Sequence, residues 1–211
     1  MTIKGLVHGV GINDADYVLQ KYAKAQGKER GKLVWICPFY KRWKSVLQRC
    51  YSSKIHNKYP TYKDCTVCEE WLTFSNFKSW MEKQEWVGMH LDKDLLMEGN
   101  KVYSPETCVF VPRVINMFTV GSNASSDNYL LGCSWDGGSD SFKARVSNPF
   151  TCKTEHIGRF DTELEAHFAW KKRKHEYSCL LADSEYVTDE KVKEILLNRY
   201  KNFSTVEYHL R

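Results

Sequence analysis

The chain has 211 residues and a formal net charge of +5, and 42% of its residues are hydrophobic and 14% aromatic. This apolar content is enough for the core of one large domain or two small ones, which excludes a globally disordered chain. No run reaches the roughly 18 to 20 apolar residues that a membrane-spanning helix needs, and the start lacks the apolar region of a secretory signal. We therefore expect a soluble intracellular protein with no membrane partner.

Residues 1–32 are polar and basic and are broken by five glycines. We expect a basic N-terminal arm that contains one short helix near residues 14–25. Residues 33–120 form the next predicted domain. Its aromatic and aliphatic residues recur at helical spacing over residues 38–49, and a second helix is predicted over residues 71–82.

Residues 37–63 form a basic run with seven Lys or Arg residues, no Asp or Glu, and interleaved aromatic side chains. Such a run can neutralise phosphates and stack on sugars or bases, which favours nucleic-acid binding. The candidate DNA contacts are Lys41, Arg42, Lys44 and Arg49. The alternative is an amphipathic helix whose aromatic side chains belong to the core and whose lysines face solvent. The pattern alone leaves both interpretations open.

Eight cysteines in a chain without a secretory signal are reduced thiols or metal ligands rather than disulfides. Cys65 and Cys68 form half of a zinc-binding pattern, and Cys37 and Cys50, or His56, would have to supply the remaining ligands. One prediction is therefore a structural Zn²⁺ held by Cys37, Cys50, Cys65 and Cys68. The other is a set of buried free thiols.

The segment His90-Leu-Asp-Lys-Asp94, followed by Gly99-Asn-Lys-Val-Tyr-Ser-Pro-Glu-Thr-Cys-Val-Phe-Val111, predicts a short strand, a turn, a polar loop and an apolar run. This order is typical of a ββα-metal finger. The segment resembles the core of phage HNH endonucleases. Lys93 stands where that family has its proton-accepting His, and Thr107 stands where it has an Asn.

The resemblance implies a nuclease that uses one divalent ion, Mg²⁺ or Mn²⁺, to cleave DNA. Asp92 and Asp94 are hard oxygen ligands, and on a strand they would point to the same face. A charged Lys93 is better suited to phosphate binding than to accepting a proton. The candidate catalytic residues are His90, Asp92, Lys93, Asp94 and Asn100. The alternative is a protein that keeps this fold and has lost the nuclease activity.

Residues 121–128 are small and polar and are predicted to link two domains. Residues 129–182 then predict three short strands, over residues 130–135, 142–147 and 155–160, and a helix over about 162–181 with a basic outer face at residues 171–175. Residues 183–211 predict a further helix and a polar tail.

The strand and helix segments resemble the Apetala/ethylene-response-factor DNA-binding domain, and the phrase Ile157-Gly-Arg-Phe-Asp-Thr162 is the most specific part. The resemblance implies a sheet that enters the major groove of duplex DNA and a helix that supports it. The groove-facing candidates are Ser134, Lys143, Arg145, Ser147 and Arg159, with Trp135 as an aromatic neighbour. The alternative is a βββα module that contacts protein.

The predicted fold is α+β: a degenerate HNH-like ββα finger domain with flanking helices, followed by a three-stranded antiparallel sheet packed on a helix. The predicted function is a phage-type, HNH homing-endonuclease-like protein that binds duplex DNA and can nick or cleave it with a divalent metal. Its predicted location is the cytoplasm of a phage-infected bacterial host. The alternatives are a catalytically inactive DNA-binding regulator and a protein that inhibits a host factor.

Overall fold

The computed structural model describes residues 5–24, 31–119 and 129–201. The chain divides into two compact units, Met1–Phe110 and Val111–Arg211. The predicted α+β class and the predicted three-stranded antiparallel sheet are both confirmed. The predicted linker at residues 121–128 lies outside the described residues. No helix in the described ranges combines the length and the apolar character that a membrane crossing requires.

The N-terminal unit is built from short strands and three helices, and its last strand ends at the first residue of the second unit. In chain order the elements are β1 (Gln20–Tyr22), β2 (Leu33–Ile36), α1 (Pro38–Tyr51), α2 (Ser53–Lys58), β3 (Thr66–Val67), α3 (Phe74–Met81), β4 (His90–Asp92), β5 (Val102–Tyr103) and β6 (Val109–Val111). β1 pairs with β2 in antiparallel orientation, β3 pairs with β5 in parallel orientation, and β4 pairs with β6.

Helix α1 organises the core of the N-terminal unit. Trp43 and Leu47 lie on its inner side and are fully buried. The Trp43 indole Nε1 donates a hydrogen bond to the Trp71 carbonyl at 2.6 Å, so the polar edge of this large buried ring has a partner. Phe74 and Phe77 add further rings to the same cluster. The predicted amphipathic helix over residues 38–49 is confirmed, and its inward-facing aromatic side chains belong to the core.

The helix predicted near residues 14–25 is wrong, because residues 14–24 contain strand β1 and no helix. The cause is tertiary pairing, which overrides a weak local preference. The carbonyl of Leu19 accepts a hydrogen bond from the amide of Cys37 at 2.8 Å, next to the β1–β2 ladder. Gly11 packs so closely on α1 that a Cβ atom there would lie 2.3 Å from Leu47 Cδ1. The described part of the N-terminal segment thus packs against the core.

The C-terminal unit contains the elements α4 (Arg113–Thr119), β7 (Cys133–Asp136), β8 (Ser141–Ser147), β9 (Thr154–Phe160), α5 (Glu163–Ala182) and α6 (Glu190–Asn198). The three strands form one antiparallel sheet in the order β7-β8-β9. Helix α5 packs on this sheet, where Ala144 and Val146 of β8 are buried. A capping box between Thr162 and Glu165 fixes the start of α5.

The basic outer face predicted at residues 171–175 is wrong for Lys174, which is buried. Its Nζ donates a hydrogen bond to the Phe118 carbonyl at 3.0 Å and lies 3.9 Å from the centre of the Phe118 ring. Arg199 Nη2 donates to the Thr119 carbonyl at 3.3 Å. The last carbonyl groups of a helix have no partner within it, so these two cations complete the end of α4. Local periodicity could not reveal this role.

Candidate nucleic-acid interface

The open face of the β7–β9 sheet carries the predicted groove-facing residues. Ser134 pairs with Lys143, and Lys143 pairs in turn with Arg159, so these three side chains form one row across the strands. Arg145 and Ser147 follow Lys143 at alternate positions of β8, and both are exposed. Alternate residues of a strand share a face. The structure therefore brings all five predicted residues together.

A β-bulge adds two residues that the sequence analysis missed. Ala144 pairs with Gly158, but the next residue, Arg145, pairs with His156, so β9 skips one residue. The bulge changes the alternation along β9 and places His156 and Thr154 on the same face as Arg145. The glycine inside β9 is the sequence signal that could have located the bulge. We call this surface the basic sheet face; its members are Ser134, Asp136, Lys143, Arg145, Ser147, Thr154, His156 and Arg159.

Asp136 is the carboxylate of the basic sheet face, and sequence reasoning missed it although it lies two residues after Ser134. Its Oδ2 lies 2.7 Å from Lys143 Nζ and 3.1 Å from Arg159 Nε. The hydroxyl of Ser139 donates to the same oxygen at 2.7 Å. These hydrogen bonds, led by that of Lys143, hold the pKa of Asp136 far below its usual range. Asp136 thus positions two cations of the face and neutralises part of their charge.

Trp135 does not belong to the basic sheet face. It pairs with Phe142, and the two rings pack edge to face with centroids 4.9 Å apart. Because successive side chains of a strand alternate, Trp135 projects from the side of the sheet opposite Ser134. The structure therefore separates this predicted aromatic neighbour from the other candidates.

The basic sheet face is slightly concave. A shallow depression of about 330 Å³ is lined by Lys143, Arg145, Thr154, His156 and Arg159. Three of these residues are Lys or Arg and none is an acid, while Asp136 pairs with two of the three from beside the depression. A concave surface with this charge attracts an anion such as a phosphate oxygen.

The segment between β4 and β6, residues 93–108, contains the short strand β5 and is called the β4–β6 loop below; polar side chains of the segment itself hold its first part. Asp92 is buried at the end of β4, and its Oδ1 accepts hydrogen bonds from the amides of Asp94 at 2.7 Å and Leu95 at 2.9 Å. A carboxylate that accepts two backbone N–H groups fixes a tight turn. Asp92 therefore shapes the start of the β4–β6 loop.

Lys93 is the central cation of the β4–β6 loop, and only 7% of its side chain is exposed. Its Nζ donates to Asp94 Oδ1 at 2.5 Å and to the Asn100 carbonyl at 2.6 Å. Asn100 returns the contact, because its Nδ2 donates to the Lys93 carbonyl at 2.8 Å and to the Val102 carbonyl at 2.7 Å. The structure thus brings Asp92, Lys93, Asp94 and Asn100 together. The ammonium group faces the interior of the loop.

His90 and Thr107 differ in their part in this loop. His90 is exposed at the start of β4. Thr107 lies inside the hydrogen-bond network, and its hydroxyl donates to the Val102 carbonyl at 2.7 Å. It also contacts the Ser104 hydroxyl at 3.1 Å. Thr107 therefore holds the second half of the loop.

No protein-family model, curated protein or solved structure matches this chain. The proposed function therefore rests on the placement of the side chains and on the residues of the sequence. Two places bring several candidates together, the basic sheet face and the β4–β6 loop.

The four candidate cations of the basic run have different environments. Lys41 is exposed and Lys44 is partly buried. Arg42 donates to the Met89 carbonyl at 2.9 Å, and burial lowers its pKa. The guanidinium of Arg49 stacks 5.6 Å from the centre of the Tyr62 ring. Arg42 and Arg49 are therefore committed to contacts within the N-terminal unit, and Lys41 and Lys44 are the cations of α1 left at its surface.

All eight cysteines are free thiols. Burial raises the pKa of Cys50 to about 12, and it also raises the pKa values of Cys65 and Cys68. Within the described residues no three or more His, Cys, Asp or Glu side chains converge as a metal site. His56, the alternative zinc ligand, contacts the Arg49 carbonyl at 2.9 Å.

Proposed function

We propose that this protein binds duplex DNA through the basic sheet face of its C-terminal unit. The observation that carries the proposal is the row of Ser134, Lys143 and Arg159 across three strands. Two strand spacings make this row roughly 10 Å wide, and the major groove of B-DNA is about 12 Å wide. A sheet of this width fits the groove, and the cations of its face lie within reach of bases and phosphates.

The proposal also covers a relationship of this chain to the Apetala/ethylene-response-factor domain and to the HNH endonucleases. The strand order and the supporting helix α5 agree with the Apetala/ethylene-response-factor resemblance of residues 131–170. Along the chain, β4, β6 and α4 follow the strand, strand, helix order of an HNH-type finger. We take the finger as a retained element of a phage endonuclease lineage, with Lys93 in the place of the proton-accepting His.

The residues of the β4–β6 loop do not fit a divalent cation as they are arranged. The ammonium of Lys93 lies 2.5 Å from Asp94 Oδ1, where a metal ion would need that oxygen. Asp92 Oδ1 already accepts two backbone amides. Bringing Mg²⁺ next to a buried ammonium would add electrostatic repulsion. The proposed function is therefore DNA binding with no step that uses a metal, and the endonuclease activity with Mg²⁺ or Mn²⁺ stays a prediction.

Incubation with supercoiled plasmid tests the endonuclease prediction. The proposed function predicts that the protein leaves the plasmid intact with Mg²⁺ or Mn²⁺ while it still shifts labelled duplex DNA. Asp94→Asn is the matched variant, since about half of the Asp94 side chain is exposed, at 52%. Nicking that requires the metal and disappears in this variant, with DNA binding retained, would establish a nuclease instead.

Fluorescence anisotropy with a labelled duplex tests DNA binding by the basic sheet face. The double variant Arg145→Ala and Arg159→Ala should bind at least about tenfold more weakly, because each lost contact costs about 1 kcal/mol or more. The double variant Lys172→Ala and Lys191→Ala is the control, since both lysines are exposed, on α5 and α6, and their substitution also removes two positive charges. An equal loss of affinity in the control would show that only net charge matters and would count against the face.

One observation favours the second candidate, a module that binds a host protein. The β1–β2 hairpin exposes the large apolar side chains of Leu33, Val34 and Trp35, and exposed apolar surface is found at protein-binding sites. The salt dependence of binding distinguishes this candidate from DNA binding. Binding through apolar side chains changes little with salt, whereas contacts to several phosphates weaken steeply as salt rises.

A further inference from the structure

A large cavity lies inside the C-terminal unit, beside the sheet. Its volume is about 960 Å³, within the range of pockets that bind small molecules. Among the described strands, β7 begins opposite Ala144, so the last residues of β8 have no strand on that side. Val146, Ser147 and Asn148 line the cavity there. The cavity therefore fills the space that a longer β7 would occupy.

Two helices provide apolar walls for this cavity. Met117 and Phe118 contribute from α4, and Trp170 contributes from α5. Gly132 brings the start of the sheet against Trp170, since a Cβ atom at Gly132 would lie 2.0 Å from the ring. Its φ of +81° also favours glycine. The lining thus combines apolar side chains from these two helices with polar residues of the strands.

The charged residues of the cavity are all cations. Arg113, Arg145 and Lys174 line it, and no described lining residue is an acid. Lys174 is fixed by its hydrogen bond to the Phe118 carbonyl, and burial, with the charge of Arg199 nearby, lowers its pKa to about 8. Arg113 and Arg145 are exposed. An anion entering the cavity would thus meet two or three positive charges and no opposing one.

The cavity opens toward the basic sheet face. Arg145 and Thr154 line both the cavity and the shallow depression on that face. A polyanion lying on the face would therefore run past the mouth of the cavity, with Arg145 between them. The position of this arginine joins the two surfaces into one cationic path.

We propose that this cavity binds one nucleoside monophosphate unit, with its base between the apolar walls and its phosphate at Arg113 and Arg145. The unit comes from one of two sources, a free nucleotide or a nucleotide turned out of a bound DNA strand. The second source rests on the proposed function. Proteins that take a base out of a duplex receive it in a closed pocket and contact it with apolar and aromatic side chains. The cost of unstacking is a few kcal/mol, which contacts in the pocket offset.

The first experiment uses the free monophosphate of 2-aminopurine deoxyriboside as a fluorescent probe. Titration of the full-length protein should give saturable binding. Met117→Trp, at a cavity-lining position that is 61% exposed, adds side-chain volume to the lining and should weaken binding about tenfold or more. Leu180→Trp is the matched control on α5, exposed by 55% and outside the cavity, and it should leave the affinity unchanged. Arg113→Gln should weaken binding as well, with the thermal unfolding temperature preserved.

The second experiment places 2-aminopurine inside a labelled duplex. Anisotropy reports whether the duplex binds, and the emission of 2-aminopurine reports whether the base leaves the stack. An increase in emission that Met117→Trp removes, with anisotropy unchanged, supports the strand as the source. Free-nucleotide binding without duplex binding supports the cavity and overturns the proposed function. Duplex binding with no emission change and no binding of the free probe overturns the cavity proposal and leaves the proposed function in place.

Discussion

The side chain of Lys93 places its ammonium group inside the polar β4–β6 loop. Its ammonium has two short hydrogen bonds, to Asp94 Oδ1 and to the Asn100 carbonyl, and Asn100 donates back to the Lys93 carbonyl. In metal-dependent loops an ion from solution draws oxygen atoms together. In the β4–β6 loop the ammonium of Lys93 draws Asp94 Oδ1 and the Asn100 carbonyl together.

Substitution of Lys93 by Met should destabilise the protein by about 1–3 kcal/mol, because it removes charge-assisted hydrogen bonds and leaves the Asn100 carbonyl without its donor. Urea denaturation measures the change. Lys101→Met is the control, since Lys101 is exposed and its Nζ donates a hydrogen bond to the Thr61 carbonyl at 3.1 Å. The control should lose less than about 0.5 kcal/mol. Equal losses in the two variants would contradict the internal role of Lys93.

Asp136 restrains the cations with which the protein is proposed to bind DNA. Asp136→Asn should raise the affinity for duplex DNA severalfold, because it frees Lys143 and Arg159 and removes a charge that repels phosphate. Anisotropy titration measures the affinity. Asp140→Asn removes the same formal charge at an exposed position nearby without breaking either ion pair, and it should raise the affinity less. A lower affinity for Asp136→Asn would mean that Asp136 orders the face and that this ordering matters more than its charge.

At the scale of elements, helix α5 supports both the sheet and the end of α4. Its capping box at Thr162 and its buried Trp170 and Leu181 are features of an ordinary amphipathic helix. The exception is Lys174, a cation in the buried face. Its charge is stabilised by the Phe118 carbonyl and opposed by burial and by Arg199, so its ionisation is linked to folding.

The pKa of Lys174 falls from 10.5 to about 8 in the folded protein. Between these two pH values the unfolded chain holds the proton more tightly, so the stability that Lys174 contributes rises with pH across this window. Relative to Lys174→Met, the wild-type protein should gain up to about 3 kcal/mol from pH 8 to pH 10.5. Chemical denaturation of both proteins measures the difference, in which the titration of tyrosines and cysteines cancels. A difference that stays constant or falls with pH would contradict the burial of this ammonium.

The spacing of hydrophobic residues along the sequence predicted the elements in which that spacing is regular. Helix α1 and the three strands of the C-terminal unit lie where the sequence placed them within a few residues. The helix predicted at residues 14–25 failed because a short polar segment pairs with β2, a contact that no local window contains. The prediction that Lys174 lies on the outer face was wrong for the same reason, since its partner, the Phe118 carbonyl, lies 56 residues away in the sequence.

The candidate site was predictable only as far as strand alternation goes. Alternation brings Ser134, Lys143 and Arg145 to one face, and it would also have placed Trp135 on the other face. The bulge that brings His156 to this face depends on the pairing of β8 with β9. In the β4–β6 loop the polar residues were found, but the inward direction of the Lys93 ammonium required the three-dimensional structure.

For the whole molecule, we propose DNA binding for the C-terminal unit, and the N-terminal unit contains the β4–β6 loop with its internal hydrogen bonds. The formal net charge of +5 is modest, so non-specific attraction to DNA is limited and the local arrangement of cations decides. The basic sheet face combines Lys143, Arg145 and Arg159 with one carboxylate that pairs with two of them. If this face binds DNA as proposed, the number of phosphates it contacts can be measured.

The salt dependence of duplex binding tests whether the cations of the basic sheet face contact DNA phosphates. The logarithm of the binding constant should fall with the logarithm of the salt concentration with a slope of about −3 if the three cations each contact a phosphate. The triple variant Lys143→Ala, Arg145→Ala and Arg159→Ala should lose between about two and three units of that slope. A wild-type slope near zero, or an unchanged slope in the triple variant, would contradict DNA binding by the basic sheet face.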